Sequence, residues 1–340
     1  FILIKITMKT FVYGLLYFAF PFLINGQTSS EFFTMFYNVE NLFDTINDPL
    51  NDDEEFLPVS NKQWNTKRYS HKLNQLERVF TSINTGYLPN IIGLCEVENI
   101  NVINDLLKQP FFHNHTYTII HQNSPDLRGI DCAVLFDDKF ELISHEFIEI
   151  NIPGDERPTR DIVYVKLAFE RQVINIFINH WPSRWGGQKE TNYKRTYVAQ
   201  LLRDYIDSNI DSNEHTIVMG DLNDYPYNHS ILNILSNKGK GLVNLMSILQ
   251  YDYSDDIELG SYNYRGEWNF LDHILVSNNF FNKSNLYLKE YNVFKRNWML
   301  YTTDQDVSYP SRSYVGNSYK GGFSDHLPVY AVFELITRLK

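Results

Sequence analysis

Short apolar runs recur along the chain, and several alternate apolar with polar positions as half-buried strands do. They cover residues 32–40 (FFTMFYNVE), 90–98 (NIIGLCEVE), 116–121 (TYTIIH), 130–136 (IDCAVLF) and 141–150 (ELISHEFIEI). Five more follow at 161–169 (DIVYVKLAF), 173–180 (VINIFINH), 215–221 (HTIVMGD), 270–277 (FLDHILVS) and 328–335 (PVYAVFEL). Helical spacing takes over in 69–83, where Leu73, Leu76, Val79, Phe80 and Ile83 form one stripe. It returns in 192–207 through Tyr193, Tyr197, Val198, Leu201, Leu202, Tyr205 and Ile206, and a shorter helix is expected through NVINDLLKQ (101–109). Strands outnumber helices, and the helices are interspersed, which predicts sheets packed on each other with helices outside. Two long loops interrupt the pattern: an acidic one at 44–63 and an aromatic, polar one at 294–323. Structureless loops of that length in a compact domain are usually functional or disordered.

The composition, 43% hydrophobic and 15% aromatic over 340 residues, supplies a large core. A formal net charge of -11 advertises no broad basic groove, although metal-bound carboxylates would use up part of that charge, so an anionic substrate stays open. Two cysteines, Cys95 and Cys132, exclude a disulfide scaffold and a cysteine-rich zinc site. Both lie in strand-like runs and read as buried thiols, with one disulfide as the alternative.

Residues 8–27 (MKTFVYGLLYFAFPFLINGQ) have the layout of a secretory signal: a lysine, an apolar stretch from Phe11 to Ile24, then small and polar residues. The stretch is short for a membrane span, which needs roughly 20 residues. The end, INGQ, departs from the small-x-small cleavage pattern, and an uncleaved anchor is the alternative. Residues 1–7 precede Met8 and read as upstream sequence. The expected organisation is a signal over 1–27 and a single domain over 28–340, secreted or periplasmic.

Polar residues cluster where the apolar runs stop. Asn38 and Glu40 follow TMFY, Glu96 follows IIGLC, His180 ends VINIFIN, Asp221 and Asn223 follow TIVMG, Asp272 lies within FLDHILV, and Ser324, Asp325 and His326 precede the last run. Side chains two apart on a strand share a face, so Asn38 with Glu40, and Asp221 with Asn223, are expected to aim into one cleft. Singly, each reads as a turn, cap or packed residue. Together they supply the oxygen ligands that hard cations such as Mg²⁺ prefer, and imidazoles for proton transfer near neutral pH.

The segments YNVENLFD, IIGLCEVEN, INHWPSRWGG, GDLNDYP, FLDHILVS and FSDHLPV resemble, in order, the motifs of the endonuclease/exonuclease/phosphatase superfamily, and the NHWPSR-x-GG stretch resembles a secreted bacterial branch of it. The resemblance implies an α/β four-layer sandwich of two mixed β-sheets flanked by helices, with the site at one end of the sheets. It implies metal binding by Glu96, by Asn38 and Glu40 of the first motif, and by Asp325; Glu40 stands where the family more often has Asp. Asp221 matches the residue that holds or activates the attacking water, and Asn223 one that bonds a phosphate oxygen. His326 matches the phosphate-contacting His, Asp272 its partner, and His180 the leaving-group His. The implied cofactor is Mg²⁺, with Mn²⁺ as a substitute.

Outside the motifs, Arg160 and Arg184 are candidates to clamp phosphate, set against an equal reading as solvated loop residues. Arg195 reads as structural, and Trp181 and Trp185 as packed aromatics before stacking ones. The acidic 44–63 loop could hold structural Ca²⁺, but it lacks EF-hand spacing and a solvated loop is preferred. The expected function is a secreted metal-dependent phosphoesterase, first a nuclease on DNA or RNA. The alternative is a phosphatase or sphingomyelinase-like hydrolase of a small or lipid phosphoester. A third reading, an inactive binding module, predicts loss of Glu96, Asp221, Asn223, Asp272 or His326, and all are present. No stable protein partner is expected, and the chain is expected to be a monomer.

Overall fold

The structure is a computed structural model that describes residues 27–84, 87–236, 241–281 and 285–338. The segment read as an export signal thus lies outside the described residues, apart from Gln27. In chain order the strands are β1 (Gln27–Leu42), β2 (Ile91–Val97), β3 (Tyr117–His121), β4 (Asp131–Asp137), β5 (Glu141–Ile148) and β6 (Ile162–Phe169). Then come β7 (Gln172–His180), β8 (His215–Asp221), β9 (Val243–Asn244), β10 (Tyr262–Tyr264), β11 (Glu267–Asn269) and β12 (Asp272–Val276). The last are β13 (Leu286–Val293), β14 (Leu300–Thr302), β15 (Ser308–Pro310), β16 (Tyr314–Val315), β17 (Ser318–Tyr319) and β18 (Val329–Arg338). The helices are α1 (Thr66–Ser82), α2 (Ile100–Leu107), α3 (Gln188–Asn209) and α4 (Leu245–Asp252).

Two six-stranded sheets form, in the orders β13-β18-β1-β2-β4-β3 and β5-β6-β7-β8-β12-β9. Each holds one parallel pair, β1 with β2 and β7 with β8, and is otherwise antiparallel. The parallel pairs are where helical crossovers are required, and α1 and α3 lie in those connections. The sheets face each other across Phe32, Phe36, Val134, Ile176, Ile178, Met219, Ile274 and Phe333. The outer face of the first sheet packs on α1 and α2 through Leu76, Val79, Phe80, Val102 and Leu106. The outer face of the second packs on α3 through Val198, Leu202 and Ile206. That is the four-layer order expected from the motifs.

All ten expected strands are present, and β13 adds one that the pattern did not announce, because its central residues are mostly half or fully exposed. The stretch 294–323 is not structureless: it carries the hairpins β14–β15 and β16–β17. The acidic loop is tied down by Asp53, which is buried and accepts from the Asp48 amide at 2.7 Å, and by a hydrogen bond that the Asp52 amide donates to the Leu127 carbonyl (2.7 Å). Cys95 and Cys132 are free, buried, and directly opposite each other across β2 and β4.

Candidate active site

Strand parity builds most of the site. In β7 the residues Ile174, Ile176 and Ile178 fill the space between the sheets, and the next in step is His180. In β8 the series Ile217, Met219 ends in Asp221; in β12 the series that continues as Ile274 and Val276 begins with Asp272. In β1, Phe32 and Phe36 lead in step to Asn38. A period of two carries each polar terminus onto the inner face. Register then aligns them: Asp221 pairs with His180 on one side and Asp272 on the other, so the three share one rung of the second sheet.

Glu96 breaks the rule. Simple alternation after Ile92 and Leu94 would send it toward the helices. The register instead slips between Cys95 and Val97, and Glu96 has a left-handed φ of 62°. Glu40 and Asn41 (both φ 51°) bend the end of β1 in the same way, and Asn223 (φ 50°) bends the turn after β8. Non-glycine residues are rarely held in this region, and such positions concentrate at functional sites.

The groups converge across the gap between the sheets. Asn38 Nδ2 donates to Glu96 Oε1 (3.2 Å) and to Asp221 Oδ2 (3.1 Å). Glu96 Oε2 accepts from the Asn41 amide at 2.9 Å, and Asp221 Oδ1 from the Asn223 amide at 3.0 Å. His180 Nε2 lies 3.9 Å from Glu96 Oε1 and 3.8 Å from Asp221 Oδ2. His326 Nδ1 meets Asp272 Oδ2 at 2.7 Å, and its Nε2 stands 3.7 Å from Asp221 Oδ2. Ser324 sets the last loop: its Oγ donates to the Asn38 carbonyl at 2.7 Å and accepts from the His326 amide at 3.1 Å.

The two histidines are driven in opposite directions. Burial opposes a charge on His326, but the carboxylates of Asp272 and Asp221 outweigh it and hold its pKa well above the usual value. His180 is pushed well below, by burial and then by Arg160, Arg128 and His326, and is neutral. Asp221 is pushed up to about 7 by burial, with Asp272 and Glu96 adding to the push and His326 opposing it. One imidazolium thus faces three carboxylates, a surplus of negative charge that suits a hard cation. Buried His180 Nδ1 and Asp272 Oδ1 also lack a hydrogen-bond partner among the described residues. Asp221, Asp272 and His326 lie within 4.8 Å of one another, but the short Asp272–His326 bond makes them a proton-sharing group before a ligand set. The oxygens of Glu96 and Asp221, bridged by Asn38, are the better place for a cation.

The side chains of the remaining expected residues are taken up by other partners. The bend at Glu40 turns its carboxylate to Arg312 Nε (3.2 Å), the Ser313 amide (2.7 Å) and the buried Lys72 Nζ (3.8 Å). The argument from two-residue spacing therefore does not hold for Asn38 with Glu40, because the register of β1 slips after Asn38, where Glu40 and Asn41 take their left-handed φ. Asp325 pairs with Arg312 Nη2 at 2.7 Å. Asn223 donates its side-chain Nδ2 to the Trp181 carbonyl (3.0 Å), which Arg160 Nη2 also reaches (2.8 Å). Arg160 pairs with Asp126 at 3.0 Å. Arg184 is committed to the Asn223 carbonyl (2.7 Å), Asp224, Asn228 and the face of Tyr225. Asp224, the residue after Asn223 in the GDLNDYP segment, is fully buried and also pairs with Arg195 (2.7 Å) and Ser230 (2.7 Å). Trp181 is buried as expected, whereas Trp185 is 84% exposed.

A charged Asp–His pair beside a second buried carboxylate, at the open end of a two-sheet sandwich, is an acid–base centre built to handle an anionic group. Residues 34–335 match the endonuclease/exonuclease/phosphatase family, and the chain belongs to it. Members of this superfamily are divalent-metal-dependent phosphoesterases. No curated protein matches the chain. Solved structures of similar fold include Danio rerio TDP2 complexed with single-strand DNA product, at 13% identity and TM-score 0.56, covering 89% of this chain and 99% of that one. A family protein from Bacteroides thetaiotaomicron has 13% identity and TM-score 0.54, covering 91% and 99%. The human Nocturnin catalytic domain with bound sulfate has 16% identity and TM-score 0.52, covering 91% and 97%.

Proposed function

We propose that this protein is a Mg²⁺-dependent phosphodiesterase that cleaves DNA or RNA, and that it acts outside the cytoplasm after export by its N-terminal segment. The observation that carries the chemistry is the Asp272–His326 pair at 2.7 Å with Asp221 within reach of the same ring. His326, held as imidazolium, donates from Nε2 to a phosphoryl oxygen as negative charge builds there. Asp221, within reach of the same ring, orients the attacking water and accepts its proton. Neutral His180 is placed for the leaving-group side. Glu96 and Asp221 would hold the cation, which when bound supplies Lewis-acid polarisation of the phosphoryl group. Mn²⁺ is expected to substitute. Choosing a nucleic acid as substrate draws support from the DNA-bound TDP2 neighbour.

The test is a substrate panel with Mg²⁺ and with EDTA: plasmid DNA, RNA, sphingomyelin, inositol phosphates and bis-p-nitrophenyl phosphate. Cleavage of DNA or RNA that EDTA abolishes is the expected result. Hydrolysis of monoesters alone would overturn the nuclease reading, and activity untouched by EDTA would overturn the metal.

A further inference from the structure

Beside the catalytic rung, on the far side of Trp181, lies an open cavity of about 450 Å³. Arg128, Arg157, Arg160 and Lys194 bring four positive charges to its wall, against Asp126 and Asp155. Both carboxylates are already used: Asp126 by Arg160 (3.0 Å) and Arg128 (3.3 Å), Asp155 by Lys194. The wall therefore keeps a positive surplus, and Arg157 is exposed, its backbone amide on Asp155 (3.3 Å) and its charge acting on the same carboxylate. Two buried wall residues carry unmet polar atoms. Arg160, 4% exposed, leaves Nε without a partner, and Thr159, 6% exposed, leaves Oγ1 without one. Both atoms are closed off from solvent just beneath the cavity wall, and a turn of either side chain brings it to a ligand that hydrogen-bonds there. The indole of Trp185, 84% exposed, stands at the rim.

We propose that this cavity is a subsite for the nucleotide next to the scissile phosphate, with its phosphate among Arg157, Arg160 and Thr159 and its base on Trp185. Guanidinium groups recognise phosphate oxygens in pairs, and an aromatic face accepts any base. The Trp181 carbonyl links the two sites: Arg160 bonds it from the cavity and Asn223 from the catalytic side. A strand lying across the site would place successive phosphates on either side of that carbonyl. The subsite rests on the nucleic-acid reading above and narrows it to substrates with at least two phosphates.

The experiment separates the two. Tryptophan fluorescence of the full chain is titrated with single-stranded hexathymidylate in EDTA, so that binding is read without turnover. Wild type is expected to show a saturating quench. Arg157→Ala should weaken the affinity about tenfold and flatten its salt dependence by about one phosphate contact. Trp185→Leu should remove the quench. Both side chains are exposed, so neither change threatens folding. No binding by wild type, or equal affinity in wild type and Arg157→Ala, overturns the subsite. Loss of the nuclease reading shows separately, as absence of cleavage on the substrate panel. A ratio of oligonucleotide to bis-p-nitrophenyl phosphate kcat/KM that falls in Arg157→Ala supports the subsite; an unchanged ratio overturns it.

Discussion

Nδ1 of His326 lies 2.7 Å from Oδ2 of Asp272, and both groups are buried at the mouth between the sheets. The bond fixes the ring and its charge at once. Replacing Asp272 by Asn keeps the shape and removes the charge. We expect kcat to fall by about 10²- to 10⁴-fold, the scale seen when an Asp that orients a catalytic His is neutralised. The imidazolium is the acid form, so activity is lost as pH rises through its raised pKa. In Asp272→Asn that alkaline limb should move to lower pH, which a pH–rate profile on bis-p-nitrophenyl phosphate reads directly.

Glu96 offers a carboxylate whose partners are the neutral donors Asn38 and the Asn41 amide. Glu96→Gln should raise the Mg²⁺ concentration for half-maximal activity at least about tenfold, in line with losing a charged oxygen ligand. It should also shrink the Mg²⁺-induced rise in melting temperature. An unchanged metal requirement would place the cation elsewhere.

Glu40 behaves differently. It is buried against Lys72 and Arg312, so Glu40→Ala strands a buried ammonium. The expected cost is about 2–4 kcal/mol of stability, by the measured penalty for breaking buried pairs, reduced because Arg312 is partly exposed. Denaturant melts measure that cost. A metal requirement equal to wild type would assign Glu40 to holding the 311–323 segment; a raised one would return it to the cation.

His273, next to Asp272 but facing away, is a pH-dependent weak point. Its Nε2 donates to the Asp224 carbonyl (2.9 Å) and its Nδ1 accepts from Asn244 Nδ2 (3.1 Å), which fixes the neutral ring. Burial lowers its pKa to about 4, against an ordinary 6.5. The unfolded chain therefore binds the proton first. This contribution is complete above about pH 6.5 and is lost as pH falls toward 4, a difference of about 3 kcal/mol. Melts from pH 7 to 4 should show a steeper loss in wild type than in His273→Asn.

How far the chain could be read follows from where side-chain alternation holds. His180, Asp221, Asp272 and Asn38 each stand at one end of an alternating apolar series, and a period of two carries them to the inner face. Glu96 and Glu40 sit on left-handed bends, and no spacing rule announces those. Motif resemblance supplied Glu96, whereas the new direction of Glu40 could be seen only with Arg312 and Lys72 in place, far away in sequence. Asp224 drew no functional reading from the sequence, because an Asp in a G-D-x-N-D turn and a buried ion-pair centre look alike there. Edge strand β13 was missed because neither face of it is dry enough to pattern.

The groups of the candidate site belong to different slabs: Asn38 and Glu96 to one sheet, His180, Asp221 and Asp272 to the other. Between them the backbone shares no ladder, so the reaction distance is a thickness, set by whatever fills the sandwich. At Gly93 the filling leaves no room for even a methyl. A methyl there would lie 2.6 Å from Ile178 Cδ1, two residues before His180. Such a wedge would act like a shim in a pair of jaws, pushing on Ile178 and the strand that ends in His180 while every side chain of the candidate site stayed intact.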